Sequence, residues 1–188
     1  MNTVTDDVIY YLLYHGTTAR GATEILKNKE FTFRKRNDHW LGNGIYFFIN
    51  DLEKAKWWGV QACRRDRLKK LAILQIQNFK INRNDLLDLD TEEDRQKLFN
   101  FLQELKSQGI SLNTDQMVNE IEMRAYLIEM YVKYTSKIAS KQTYYKPSPK
   151  HLWNLEEFGI FNLQVQFCIY DNESIDFEKV QLFLEEEI

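Results

Sequence analysis

Two prolines, seven glycines and two cysteines are all that 188 residues contain. So few chain-breaking residues leave no room for a flexible linker, a collagen-like tract or a low-complexity arm, and the length fits one domain of ordinary size, expected to span residues 1–188. Cys63 and Cys168 lie far apart and match no metal-ligand spacing, which excludes a disulfide scaffold and leaves two buried reduced thiols as the expectation, with no metal site. No apolar run approaches the ~20 residues needed to span a bilayer. Met1 to Asp7 is polar and acidic, unlike a signal or transit peptide. A cytoplasmic protein with no membrane partner is the expectation.

What the chain does contain is apolar and aromatic, at 44% and 14%, which argues for a packed core and against disorder. The net charge of −3 conceals an asymmetry. Residues 1–80 carry 14 Lys/Arg against 8 Asp/Glu, and residues 81–188 carry 11 against 20. An anionic ligand therefore fits the first half better, although a solvated basic face fits the same pattern.

Periodicity gives the elements. Ile9–Tyr14 is β-branched and aromatic and reads as a buried strand ending at His15-Gly16, followed by a short helix from Thr18 or Arg20 to Lys29 with Ala22, Ile25 and Leu26 on one face. Phe31–Phe33 reads as a second strand, Arg34–Asp38 as a basic loop, and Ile45–Phe48 as a strand entered through Gly42 and Gly44. Asn50 or Asp51 caps the next helix, which closes in a basic cluster of Arg64, Arg65, Arg67, Lys69 and Lys70. A strand over Leu71–Phe79, a helix from Thr91 to Gly109, a further helical pattern from Thr114 and an irregular segment around Lys146–Trp153 follow. Two last strands, joined by the turn Asp171–Ser174, lead to an acidic tail, Glu185–Glu187, expected to be solvated. In the first of these strands Phe161, Leu163, Val165, Phe167 and Ile169 alternate with Asn162, Gln164, Gln166, Cys168 and Tyr170. The sum is an α+β plan with helices inserted at about residues 90–140, without the strict alternation of a doubly wound sheet.

Three segments in the first third keep company: "LYHGTTARGATEIL" from Leu12, "GNGIYFF" from Gly42, and "AKWWG" from Ala55. Their order and spacing resemble the ADP-ribosyltransferase superfamily, in the branch of diphtheria toxin and the poly(ADP-ribose) polymerases. The resemblance covers residues 12–58 and implies a split antiparallel β-sheet core with flanking and inserted helices. It also implies NAD as co-substrate: His15 on the ribose beside the nicotinamide, the Gly16 backbone on the nicotinamide amide, a hydroxyl contact from Thr17, and Gly44 in the glycine pair that opens the second strand. Tyr46 and Trp57 would sandwich the nicotinamide ring. Arg34, Lys35 and Arg36, with the basic cluster beyond Arg64, can hold a pyrophosphate or a nucleic-acid strand.

The late strand departs from that family. Its glutamate position is matched by Gln166, with Gln164 second on the same face, and glutamine binds a hydroxyl but is no general base. Glu120, Glu122, Glu129, Glu156, Glu157 and Glu173 are the carboxylates that remain as replacements, each more simply a solvated or helix-pairing group. The resemblance, with Gln166, points to a mono-ADP-ribosyltransferase with catalytic residues His15, Tyr46 and Gln166. Its acceptor is a protein side chain or a nucleic-acid base, its setting that of a toxin–antitoxin or phage-defence toxin, and an antitoxin its partner. A silent NAD-binding or protein-binding module is the alternative. An NAD glycohydrolase or RNA 2′-phosphotransferase on the same fold is the third.

Overall fold

A computed structural model describes residues 7–33, 39–110, 120–145, 159 and 161–188. In chain order the elements are β1 (Val8–Thr18), α1 (Ala19–Asn28), β2 (Ile45–Ile49), α2 (Leu52–Asp66), β3 (Lys70–Asn82), β4 (Leu86–Asp88), α3 (Glu92–Ser107), α4 (Glu120–Thr135), β5 (Ala139–Tyr145), β6 (Leu163–Ile169) and β7 (Val180–Glu187). The strands form one sheet in the order β4-β5-β6-β2-β1-β3-β7. Every pairing is antiparallel except β4 with β5. The α+β expectation holds for the described residues.

Helices cover both faces of the sheet. On one side Ala22 and Ile25 of α1 pack with Leu13, Phe31, Phe47, Leu74 and Phe167. On the other, α2 lays Ala55 and Cys63 against Tyr14, Phe48, Leu71 and Ile73, and α3 and α4 bring Phe101, Leu105, Ile128 and Tyr131 over Leu41, Leu87 and Cys168. Local signals set the helix starts. Thr18, Asp51 and Thr91 each accept a hydrogen bond from the backbone N–H three residues on, giving the first turns of α1, α2 and α3 their missing acceptors. Asp94, fully buried in α3, accepts from Arg83 at 2.8 Å and from the Asp88 N–H at 2.7 Å. Burial pushes its carboxyl up, but those bonds outweigh it and hold the group below the usual carboxylate range.

Several expectations are corrected. β1 does not stop at His15-Gly16. It runs on to Thr18, with His15, Gly16 and Thr17 opposite Leu74, Ile73 and Ala72 of β3. Phe31–Phe33 is not a strand, because both backbone polar groups of Phe31 are taken by one side chain: its N–H donates to Asn172 Oδ1 at 2.8 Å and its carbonyl accepts from Asn172 Nδ2 at 3.1 Å. The strands flanking Asp171–Ser174 are no hairpin. β6 lies between β5 and β2, whereas β7 forms the far edge beside β3. Glu185 and Glu186 belong to that edge strand and pair with Lys70 and Lys56. The inserted region holds α3 and α4 but also β5, a strand the sequence did not announce.

One contact dictates how α2 sits. A Cβ built on Gly16 falls 1.7 Å from the Ala55 carbonyl oxygen and 2.8 Å from the Gly59 nitrogen, so backbone meets backbone where helix crosses strand. Only glycine permits that approach. Gly16→Ala should therefore cost about 3 kcal/mol or more, because α2 has to lift off the sheet. Gly59→Ala, whose added Cβ meets nothing nearer than 3.3 Å, should stay within about 1 kcal/mol. Urea unfolding of the two variants measures the difference.

Candidate active site at the opening between the central strands

The sheet nearly comes apart in its middle. β1 and β2 share only two register pairs, Leu13 with Ile49 and Tyr14 with Phe48, while β1 and β3 run together from Val8 to Thr18. The Asn50 N–H donates to the Leu12 carbonyl at 3.1 Å, so by alternation the backbone groups of Tyr14 and Gly16 also turn toward β2. Continuing that register would set Gly16 opposite Tyr46. The strands have separated by then, and the carbonyl of Tyr46 is bonded instead to Nδ1 of His15 at 2.8 Å.

That bond fixes the chemistry of the imidazole. A carbonyl can only accept, so Nδ1 carries the proton and Nε2 of the neutral ring keeps a lone pair. Nε2 has no hydrogen-bond partner among the described residues. The ring stands edge-on to Phe31 at 5.2 Å and tilts against Phe47 at 5.6 Å. Burial pushes its pKa below the ordinary imidazole value, more than the bond to Tyr46 raises it.

Tyr46 is gripped at its other end. Its hydroxyl donates to the Gly42 carbonyl at 2.7 Å and accepts from the Leu41 N–H at 2.8 Å, and the His39 ring lies against it at 4.9 Å. Burial raises the phenol well above its ordinary pKa, so it remains a neutral donor. The loop holding it is in turn held by α4: Glu129 Oε1 accepts from Asn43 N at 2.6 Å and from Asn43 Nδ2 at 2.8 Å. Gly44 fits where a Cβ would fall 2.5 Å from Cys168 Sγ, which lets the start of β2 close on β6.

Gln166 lies directly opposite Phe48 on β2 and Gln142 on β5, and Cys168 is opposite Tyr46, so Gln166 is the diagonal neighbour of Tyr46 on the same face. Its half-buried amide has no hydrogen-bond partner among the described residues. Gln164, opposite Tyr144, is buried on the same face.

The other sequence-predicted residues fall differently. Thr17 is on the α1 side, and a Cβ on Gly21 would lie 2.8 Å from its hydroxyl, so that group sits over the first turn of α1. Trp57 is exposed, edge-on to Trp58 at 5.1 Å and under the Lys54 ammonium at 4.8 Å. At about 100° per residue, the α2 face carrying Ala55, Gly59 and Ala62 meets the sheet, and Lys56 on one flank reaches Glu186 of β7. Trp58 is on the opposite flank, toward β2 and the opening, and Trp57 stands further from the sheet. Gly16 has its missing side chain taken up by α2, so the space at that position is helix packing, while its backbone edge faces β2. Arg34, Lys35, Arg36, Glu156 and Glu157 lie outside the described residues. Glu129 is engaged with the Asn43 loop, and Glu173 stands in the turn after β6.

Sequence reasoning missed Trp40, Arg124, Gln142 and Tyr144, which gather beside Gln166. Arg124 of α4 donates through Nη2 to Gln142 Oε1 and to the Tyr144 hydroxyl at 3.1 Å, and its guanidinium lies 5.0 Å from the Trp40 ring centre. No spacing rule links these positions, since α4 and β5 meet β6 only through the fold.

Among the described residues no group of His, Cys, Asp and Glu is placed to hold a metal ion, and no helix is long and apolar enough to cross a membrane. The fold is a mixed α+β sheet layered by helices, with polar groups left open at a central strand separation. No protein-family model matches the chain. Over 66 residues it is 38% identical to an uncharacterized protein of Methanocaldococcus jannaschii, a match that takes in 35% of this chain and 31% of that protein. The chain thus spans less than a third of that relative's length. Among solved structures, the M. tuberculosis MbcT-MbcA toxin-antitoxin complex contains a chain that aligns with 96% of this one and 85% of its own length, at a TM-score of 0.41 and 11% identity. A likeness of that size carries no function across.

The state of His15 yields a pH signature. The unfolded imidazole takes up a proton near pH 6.5, at about its free value, and the folded one only at lower pH. Between the two the unfolded state binds more protons, so stability falls as pH drops through that window. Melting temperatures at pH 7.5 and 5.5 should therefore drop more for the parent protein than for His15→Gln. Equal drops would mean that the imidazole is not buried in its neutral form.

Proposed function

We propose that the protein is an NAD-dependent mono-ADP-ribosyltransferase acting on a macromolecular acceptor. The observation that supports this most strongly is the opening itself, where a tautomer-fixed histidine with a vacant acceptor nitrogen stands at the point where β1 and β2 part. In the ADP-ribosyltransferases that "YHGTT" and "GNGIYFF" resemble, the same residue types contact NAD, which supports the reading.

The chain's own groups suit each part of the reaction. Nε2 of His15 accepts from a ribose hydroxyl. The open backbone edge of Gly16 pairs with the nicotinamide carboxamide, both as donor and as acceptor. Tyr46, held by its hydroxyl, presents one flat wall. The indole of Trp58, with Trp57 behind it, supplies the other, a one-residue adjustment of the assignment to Trp57 that the turn of α2 favours. Gln166 binds a ribose hydroxyl.

In the step itself the bond from ribose C1′ to the pyridinium nitrogen breaks, and its electron pair leaves with neutral nicotinamide. A lone pair of the acceptor forms the new bond to C1′, and the acceptor's proton passes to solvent. The transition state resembles an oxocarbenium ion, which neutral acceptors at the ribose stabilise without proton transfer. Gln166 cannot take a proton, so an acceptor that is already nucleophilic suits the site and repeated addition to weakly nucleophilic ribose hydroxyls does not. A growth-arresting toxin restrained by an antitoxin is the setting in which a single, irreversible modification of this kind fits.

Gln166 also favours a second reading, a silent NAD-binding module. Nicotinamide release separates the two. The parent protein with labelled NAD and cell extract should release nicotinamide and transfer label. His15→Ala should lower the rate by about 100-fold or more while remaining folded by circular dichroism. Trp58→Ala should raise the KM for NAD more than Trp57→Ala, and Gln166→Glu should retain or raise transfer. NAD binding without turnover would establish the silent module, and undiminished turnover in His15→Ala would remove the assignment.

A further inference from the structure

Beyond Gln166, on the side away from His15, the same sheet face carries a group that the NAD site does not use. Tyr144 follows Gln142 by two residues on β5, and its ring stands edge-on to that of Trp40 at 4.8 Å. Arg124 lies against both, 5.0 Å from the Trp40 centroid and 5.4 Å from that of Tyr144. Its Nη2 serves Gln142 and Tyr144, and neither Nη1 nor Nε has a hydrogen-bond partner among the described residues. Trp40 is 40% exposed.

Two features of this cluster point to its ligand. A guanidinium held against two rings, with donors to spare, is suited to a phosphate or to the acceptor edge of a base. An indole with an exposed face is a stacking surface, and every nucleobase has a face to offer. The position matters as much as the chemistry. Gln142 is directly opposite Gln166, so the cluster begins one strand beyond the residue proposed to hold the ribose, with β5 and β6 on one side of the opening and β1 on the other. A molecule seated there approaches C1′ from the side opposite His15.

We infer that Trp40, Arg124 and Tyr144 form the acceptor subsite, and that the acceptor is a single-stranded nucleic acid whose base stacks on Trp40 while Arg124 holds an adjacent phosphate. This rests on the transferase reading for its place in the reaction, but its binding chemistry stands separately. A ring nitrogen or exocyclic amine of the stacked base supplies the lone pair that forms the bond to C1′ as nicotinamide departs, and loses its proton to solvent. That matches a site with no general base.

The test uses the full chain with a dye-labelled ten-nucleotide RNA, followed by fluorescence anisotropy without NAD. Trp40→Ala and Arg124→Gln should each weaken binding about tenfold, and Trp40→Phe should stay within about threefold of the parent. Arg124→Gln should also lower the slope of affinity against salt by about one phosphate contact. The same variants should keep the KM for NAD within about twofold, and label from NAD should appear on RNA. Unchanged RNA affinity in both variants, or label confined to protein, would overturn the subsite. A large rise in KM for NAD with RNA affinity intact would assign the cluster to the adenylate half of NAD and overturn it equally. Absence of nicotinamide release from the parent protein would remove the transferase reading, while the anisotropy titration would still decide the nucleic-acid site.

Discussion

The hydrogen bond from His15 to the Tyr46 carbonyl is the contact on which the site depends. A sheet that opens at its centre leaves strand carbonyls without partners, and a buried unpaired one costs about 1–3 kcal/mol. The imidazole takes the place of the ladder bond that Gly16 would otherwise make, so the strands can part without leaving the Tyr46 oxygen bare. The same bond sets the tautomer and turns Nε2 outward as an acceptor. Structural need and chemical use meet in one side chain: the separation of β1 from β2 requires a donor there, and the donor that fits carries a second nitrogen with the opposite role.

The surroundings then follow from the need to keep that opening rigid. On the β1 side, α2 crosses Gly16 at backbone contact. On the β2 side, Tyr46 is tied through its hydroxyl to Leu41 and Gly42, and Glu129 ties that loop to α4. The Tyr46 side is thus fixed at two points. A wall fixed at one point would let a planar ligand tilt, and small errors of angle at a reacting bond cost far more in rate than the corresponding loss of binding.

How much of this was legible follows element by element. The strong alternation of Leu163–Ile169, the helix starts near Thr18 and Thr91 and a cap at Asn50 or Asp51, which the structure gives to Asp51, were visible because one residue type serves one local purpose. β5 was not, because Ala139–Tyr145 is largely polar along the face that meets Arg124, and β4 is only three residues long. The pairing of β7 was hidden for a different reason. A turn at Asp171–Ser174 shows that the chain reverses, but which strand it then joins is decided by distant register, and β7 passes β2 and β1 to reach β3. The continuation of β1 through His15-Gly16-Thr17 was masked by the glycine, whose role is contact with α2 and not termination of the strand. For Trp57 and Trp58, spacing borrowed from another family cannot resolve one residue on a helix, where each step turns the side chain by about 100°.

The inserted helices acquire a purpose from the same geometry. The motifs in residues 12–58 form one half of the site from neighbouring chain, but a cleft built from them alone would lack its far wall. α4 supplies it from over 60 residues away. Glu129 reaches back to Asn43 and steadies the loop under Tyr46, and Arg124, just over one turn earlier on α4, reaches across to Gln142 and Tyr144 on β5. One helix thereby bridges the loop before β2 to the strand beyond Gln166, the two elements that border the proposed ribose position on either side. A change in how α4 sits would move both together, so the ring wall and the acceptor side are mechanically one piece. The guanidinium of Arg124 is a cation that the acidic second half of the chain brings beside Gln142 and Tyr144.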